Sequence, residues 1–490
     1  MINFITSAIY FFSANCITEI YKGKSYYGGP DYECTKCGAI FWYQERVVYL
    51  SAQNRIIYNL CCRGGKVSLP AFQPRPPLLQ ELITFNGGPR ANKFMHHIRQ
   101  YNSIFAFTSL GVHIDRSINT GNGPYVFRIN GVVHHRIGSL LPEPGNRPEY
   151  AQLYIYDTEH EVSNRLGILR NDDSSNDLDP NIVADIIKML DTYNPLVQKF
   201  RMARDRLLSP NAPNISIKLI GTQTTHGDRY SLPTASELAA LIVGNSDSGV
   251  GEFDIIVESC SGQFKRIYPT HPALMALQYP LLFPYGEMGF QLGIKYKQIG
   301  NEPLKGRENV TMLEYYSYYE HYRKNEPNPY TCCGRLSNQA CVNTYSCIES
   351  ERLTYHFFHQ SELRSETYQG ITEAISKGAT LGKHVGVKRI LPSSFVGSKR
   401  YLIQNYHDSM AICRVYGAPK YFVTYTCNSN WPEIIEALRC EPGQKPRDRN
   451  DIIVRVFHMK LHELLDDIKE GIVFGPIIGG NYLTNIFSHC

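Results

Sequence analysis

Tyr421-Phe-Val-Thr-Tyr-Thr-Cys-Asn-Ser-Asn-Trp-Pro-Glu-Ile434 holds a strand, a turn and a helix start in fourteen residues. Tyr421 to Thr426 is aromatic and β-branched, which suits a strand. Asp451 to Glu470 follows. There Ile453, Val456, Phe457, Leu461, Leu464, Leu465 and Ile468 keep helical spacing, and Gly471 supplies a stop. A strand beside a helix with one apolar stripe predicts an α+β layer at the C-terminal end.

Working back from there, Met312 to Arg364 is polar, aromatic and helical in pattern, and Phe253 to Ile267 reads as two strands flanking a Ser261-Gly262 turn. Asp179-Pro180 opens a helix with Asp as N-cap, and Ile182, Ile186, Leu190 and Tyr193 recur along one face until Pro195 interrupts. Tyr125 to Val133 carries Asn130-Gly131, the signal of a hairpin with a type I′ turn, and Ala151 to Tyr156 is expected to continue that sheet. Pro70 to Pro77 is a stiff, polyproline-like linker. Met1 to Ile17 is apolar and uncharged but lacks the basic start of a secretory signal, so a buried or artefactual leader is expected.

The chain has 490 residues, 43% hydrophobic, 19% charged and 12% aromatic with 34 tyrosines, a folded composition with room for several domains. A formal charge of +5 permits DNA binding without demanding it, so local patches must carry that argument. The strongest runs around Leu391-Pro-Ser-Ser-Phe395: Lys383, Lys388, Arg389, Lys399 and Arg400, with His384 among them. Phosphate contact and a merely solvated face are both compatible with such a run.

Fourteen cysteines are too sparse for a small disulfide scaffold. Cys34-x-x-Cys37 with Cys61-Cys62 offers four thiolates for a structural zinc, against the alternative of buried free thiols. The adjacency of Cys61 and Cys62 makes joint ligation awkward. Cys332, Cys333, Cys341 and Cys347 form a weaker second set.

No His-x-His occurs, so paired imidazoles on one strand face are missing. His96-His97 and His134-His135 are adjacent, which on a strand sends the rings to opposite faces. His458 and His462 share a helical face, with polar-face packing the simpler reading. Gly378-Ala-Thr-Leu-Gly382-Lys383-His384 has one residue too few between its glycines for a phosphate loop.

Several collinear segments together resemble the N-terminal region and helicase-like domain of Helitron transposases. They are Cys34 to Trp42, Cys61 to Lys66, Tyr101 to Ser109, Ala151 to Asp157, Leu277 to Gly286, Leu391 to Phe395, Tyr421 to Ile434 and Arg455 to Phe457. The resemblance implies a rolling-circle replication-initiator endonuclease fused to an ATP-dependent helicase in full-length members, using Mg or Mn and ATP. It implies for this chain a truncated relative that stops before the metal-binding strand, binds DNA (single-stranded or transposon ends) without nicking or ATPase chemistry, and works in the nucleus, with no membrane span. An incomplete gene model of an active enzyme and a domesticated interaction protein are the alternatives. No catalytic residue is assigned. Thr424, Thr426, Asn428 and Trp431 would be scaffold of the family's first endonuclease motif, with Ser429 where the family commonly has proline.

The expected organisation is α+β and multi-domain. It comprises a leader over 1–29, a zinc-knuckle-like module and linker over 30–77, an α+β region over 78–290 and a helical connection over 291–388. The partial antiparallel-sheet endonuclease covers 389–475 and a divergent tail 476–490.

Overall fold

A computed structural model describes residues 6–13, 25–52, 55–115, 128–169, 177–208, 215–220, 239–243, 255–258, 265–299, 306–360, 390–471 and 475–485. In chain order the elements begin with β1 (Thr6–Ser13), β2 (Tyr32–Glu33), β3 (Ile40–Phe41), α1 (Pro77–Leu82), α2 (Pro89–Phe105), β4 (Ser109–Asp115) and β5 (Arg128–Ile137). Next come α3 (Glu161–Ile168), α4 (Pro180–Tyr193), α5 (Pro195–Leu207), β6 (Ile215–Leu219), β7 (Ala239–Val243), β8 (Ile255–Glu258) and β9 (Lys265–Ile267). The last are α6 (Leu274–Gln278), α7 (Met312–Glu320), α8 (Pro329–Cys332), α9 (Arg335–Phe358), α10 (Lys399–Tyr416), β10 (Tyr421–Thr426), α11 (Pro432–Leu438), α12 (Asn450–Lys469) and β11 (Ile477–Asn485). The architecture is mixed α+β, with small antiparallel sheets ordered β10-β1-β11, β2-β3, β4-β5-β9 and β7-β6-β8.

Several local readings hold. Asp179 accepts a hydrogen bond from the Asn181 amide at 2.9 Å, Pro180 starts α4, and Ile182, Ile186 and Leu190 are buried. Pro195 ends that helix and opens the next, because Asn194 caps α5 by accepting from the amides of Leu196 and Val197. In α12 the stripe Ile453, Val456, Phe457, Leu461, Leu465 and Ile468 is buried, and Gly471 sits at φ 77° past its end.

Others are corrected. Asn130-Gly131 does not turn the chain. β5 runs through both residues, and the pairing slips between Gly111 opposite His134 and His113 opposite Asn130, so the extra residues form a bulge. Ala151 to Tyr156, expected as strand, instead holds most of a 3-10 turn over Tyr150–Tyr154, with Ala151, Leu153 and Tyr154 buried. β8 and β9 do not pair with each other: β8 joins β6 and β9 joins β5, and the Ser261-Gly262 turn lies outside the described residues. Thr6–Ser13, read as leader, is the middle strand of the C-terminal sheet, with Thr6 opposite both Thr426 and Asn485.

Two main cores result. The larger gathers buried side chains from Cys34 to Ile348, including Phe94, Tyr101, Phe107, Tyr154, Ile186, Phe200, Tyr316 and Leu336, so α7 to α9 share a core with the preceding region. The polyproline-like linker has no internal hydrogen bonds to offer, and tyrosine hydroxyls donate instead to carbonyls within it and just before it. Tyr318 reaches Leu69 O at 3.3 Å, Tyr319 reaches Pro70 O at 3.1 Å and Tyr285 reaches Pro74 O at 2.8 Å. The second core packs α11 and α12 under the inner face of β10, with Ile434, Val456, Phe457 and Leu461 at its centre. Trp42 belongs to this second core although it follows β3, while Phe41 belongs to the first. The seam between the cores therefore runs through one peptide.

Candidate metal centre

Cys34 and Cys37 sit on a tight knuckle closed by backbone hydrogen bonds from Cys34 N to Ala39 O and from Gly38 N to Cys34 O, both 2.8 Å. Gly38 at φ 73° allows the reversal that a side chain would strain. The second pair sits on a turn, not a strand. Arg63 N bonds to Asn59 O at 2.8 Å, Gly65 N and Val67 N both bond to Cys62 O at 3.0 Å, and Arg63, Gly64 and Gly65 all take positive φ. This curl removes the objection to adjacent ligands. On a strand Cys61 and Cys62 would point to opposite faces, whereas the bend at Cys62 aims both sulfurs inward.

The four Sγ atoms lie within 4.8 Å of one another, with Cys34 to Cys62 at 3.8 Å and Cys37 to Cys61 at 3.5 Å. A zinc with Zn–S bonds of about 2.3 Å has tetrahedral S···S edges of about 3.8 Å, so the donor set fits the ion. Cys34, Cys61 and Cys62 are buried and Cys37 is partly so. The thiols titrate as one group. Hydrogen bonds from Cys37, Cys61 and Cys62 hold the Cys34 thiol well below its usual range. The Cys37 thiol, raised by Cys34 and lowered by Cys61 and Cys62, settles at about 7. Hydrogen bonding to Cys34 and Cys37 pushes the Cys61 and Cys62 thiols up. A divalent cation bound among them would convert the four thiols to thiolates.

The knuckle is built into its surroundings. Arg323 donates to Cys37 O at 2.8 Å, and Ile40 N bonds to Tyr322 O at 3.0 Å. The chain around it then grips the second core. Arg455 makes a two-pronged pair with Glu45 at 2.7 and 2.6 Å, donates to Ile40 O at 3.0 Å and lies 4.8 Å from the Trp42 ring centroid. Trp42 Nε1 donates to Gly28 O at 3.1 Å. Lys460 pairs with the fully buried Glu433 at 2.8 Å and donates to Ser25 O at 3.0 Å, while the Tyr27 hydroxyl donates to Glu463 at 2.6 Å. Behind Glu45, Tyr58 and His321 Nε2 are 2.6 Å apart, and burial, followed by the Arg455 charge, pushes the imidazole down to about 4.

The second cysteine set does not converge. Cys341 Sγ donates to Tyr330 O at 3.8 Å, Cys332 packs with Ile40 and Tyr322, and among the described residues only the first set groups as a metal site. The histidine pairs are structural in their contacts. His135 is buried between Gln278 at 3.2 Å and Asn343 at 2.8 Å, His359 stacks on Tyr355, and His462 Nδ1 bonds to His458 O at 2.8 Å.

At the C-terminal sheet, Thr424 and Thr426 occupy the exposed face of β10 with Phe422. Asn428 accepts from the Asn430 amide at 2.9 Å, which shapes the turn, and Trp431 stacks on Tyr425 at 6.0 Å and precedes α11. Of the basic run, Lys383, Lys388 and Arg389 lie outside the described residues. Lys399 and Arg400 form the first turn of α10, behind Ser398, whose hydroxyl accepts from the Tyr401 amide at 3.0 Å. Glu45 carried no sequence signal, and although Trp42 and Arg455 lie in segments that resemble the family, nothing in the sequence pairs Arg455 with Glu45, 410 residues away.

Among the described residues no helix is long and apolar enough to cross a membrane. Comparison with curated proteins finds no match. A family model described as "Helitron helicase-like domain at N-terminus" matches residues 315–485, from Tyr315 within α7 to Asn485 at the end of β11. Residues 315–485 therefore carry a Helitron helicase-like N-terminal domain, which the knuckle and the segment after it contact through Arg323 and Arg455.

Proposed function

We propose that this chain is a Helitron-type transposon protein that engages DNA, with Cys34, Cys37, Cys61 and Cys62 holding one structural zinc. The observation that carries the reading is the four-sulfur cluster poised on a segment that grips the matched domain. Zinc bound there would cross-link the two turns and so fix the residues between them, Ile40 to Glu45, whose contacts join the two cores. Its role is then mechanical: it sets the second core, α11 and α12 under β10, against the first.

DNA engagement rests on the domain match, and the basic first turn of α10 and the exposed hydroxyls of Thr424 and Thr426 are compatible with phosphate contact. Residues 1–490 contain neither a His-x-His strand nor a phosphate loop, so the proposed activity of these residues is binding without strand cleavage or ATP hydrolysis. The test pairs two assays on the purified chain. Mobility shift with single-stranded and duplex DNA should give salt-sensitive binding. Supercoiled plasmid with Mg²⁺ or Mn²⁺ should remain uncut. Absence of binding to either DNA overturns the first part, and metal-dependent nicking abolished by a point substitution overturns the second.

A further inference from the structure

Arg63 leaves the second cysteine turn directly after Cys62, at a φ of 50° that a non-glycine residue adopts only at a cost. Its Nη1 donates to the Tyr296 hydroxyl at 3.0 Å and pairs with Glu314. Arg307, from a distant part of the chain, reaches the same two groups. Its Nε and Nη2 donate to the Tyr296 hydroxyl at 3.2 and 2.7 Å, and Nη2 also pairs with Glu314 at 2.7 Å. Both guanidiniums bond one oxygen atom, so they are neighbours by construction.

The carboxylate they share is oversubscribed. Glu314 belongs to the capping box of α7, where Oε2 accepts from the Thr311 amide at 3.0 Å and the Tyr296 hydroxyl at 2.7 Å, while Oε1 takes both arginines. Four donors fill the four lone-pair sites of a carboxylate. One negative charge therefore serves two guanidiniums and a helix N-terminus. Another pair of arginines on one carboxylate, Arg165 and Arg201 on Glu161, is largely buried and has Asp191 as a second acid. The side chains of Arg63 and Arg307 are instead 50% and 49% exposed. The Nε and Nη2 of Arg63 and the Nη1 of Arg307 bond to no acceptor among the described residues. Glu308, beside Arg307 in sequence, is taken by Lys295 at 3.1 Å. More positive charge adjoins the pair. Lys297 N bonds to Lys66 O at 2.8 Å, which places Lys297 next to the turn that carries Arg63 and Lys66, and Lys36 Cγ would stand 3.4 Å from a Cβ at Gly65.

We propose that Arg63 and Arg307 form a clamp for one phosphate group of the DNA backbone, with Tyr296 and Glu314 holding the two guanidiniums in place. A phosphate can accept from two forks at once, and it supplies the negative charge that the pair lacks. The proposal rests on the DNA-engaging reading above and deepens it. Every residue of the clamp precedes residue 315, so this contact lies outside the matched domain and apart from the basic run near Leu391. Because Arg63 follows Cys62, the turn that zinc would order also sets one arm of the clamp. Such a contact adds affinity and fixes register without reading bases.

The test uses the full chain and DNA binding measured across a series of salt concentrations, on single-stranded and duplex oligonucleotides. The double variant Arg63→Asn with Arg307→Gln removes both forks, and asparagine tolerates the left-handed backbone at position 63. A charge-matched control, Lys188→Gln with Arg206→Gln, changes exposed positions on α4 and α5. Loss of one phosphate contact should make the slope of log affinity against log salt shallower by about 0.7 on single strands and about 0.9 on duplex. Affinity should fall about tenfold, with the control unchanged. Unchanged affinity and slope in the double variant, with wild-type binding intact, overturns the clamp and leaves DNA engagement standing. Equal weakening in both variants also overturns it, since net charge alone would then suffice. Calorimetric titration with inorganic phosphate separates the two sources of the anion: phosphate binding lost in the variant while DNA binding is unchanged assigns the clamp to a free anion and overturns its place on DNA. Failure of the wild-type chain to bind either DNA removes the underlying reading itself. The single variant Arg307→Gln leaves the cysteine turn intact, and it should weaken DNA binding at unchanged unfolding temperature and zinc content. Weakening seen only together with loss of fold or zinc would overturn a direct contact.

Discussion

The chain contains two sets of four cysteines, and only one of them closes. Cys34, Cys37, Cys61 and Cys62 ride on turns with positive φ at Gly38, Arg63, Gly64 and Gly65, which let short segments curl until the sulfurs face one point. Cys332 and Cys333 end a short helix, and Cys341 and Cys347 lie six residues apart on α9, a rotation of about 240° at 3.6 residues per turn. A rigid helix cannot bring those two sulfurs to one centre. Convergence of ligands is thus a property of the backbone that carries them as much as of their count.

The largest effect that sharpens this contrast comes from removing zinc or its ligands. Structural zinc sites contribute about 10–16 kcal/mol of apparent binding free energy in small domains. Cys34→Ser with Cys61→Ser should abolish bound zinc in metal analysis of the purified chain and lower its thermal stability sharply. Retention of zinc by that double variant would break the comparison. Trp42→Ala comes next. Its indole is fully buried across the seam, and emptying such a site costs about 3–5 kcal/mol. Limited proteolysis should then release the α11–α12 region from the rest, and an unaltered digestion pattern would show that the seam does not depend on this ring.

A smaller, pH-dependent effect belongs to His321. Its folded value of about 4 lies below the ordinary 6.5, so it is buried neutral and its unfolded form binds the proton more readily. The stability this provides is complete above about 6.5 and is lost as pH falls through 4, by about 3 kcal/mol in total. The difference in unfolding free energy between wild type and His321→Gln should therefore shrink between pH 7 and pH 4.5. A constant difference over that window would contradict a buried neutral imidazole. The smallest effect is at the other cysteine set: Cys341→Ala with Cys347→Ala should leave zinc content unchanged and cost only about 1–2 kcal/mol, as ordinary core truncation does. Loss of zinc in that variant would erase the distinction.

How much of this was readable beforehand follows from how local each feature is. The Asp179 cap, the Pro195 break and the α12 stripe depend on residues a few positions apart, and the structure keeps them. The four metal-competent cysteines were legible by type, while the turn that reconciles Cys61 with Cys62 was not, because it depends on successive positive φ values. Asn130-Gly131 was misleading for the opposite reason. Its turn preference is real, but pairing with β4 absorbs the two residues as a bulge. The Glu45–Arg455 pair joins positions hundreds of residues apart, where no periodicity connects them.

The most direct measurement on the central claim is X-ray absorption at the zinc edge of the purified wild-type chain. Four sulfur neighbours at about 2.3 Å, with no nitrogen or oxygen in the coordination shell, is the result expected from Cys34, Cys37, Cys61 and Cys62. A shell containing imidazole nitrogen or fewer than four sulfurs, or a chain that purifies without zinc and keeps the same unfolding temperature in chelator, would contradict it.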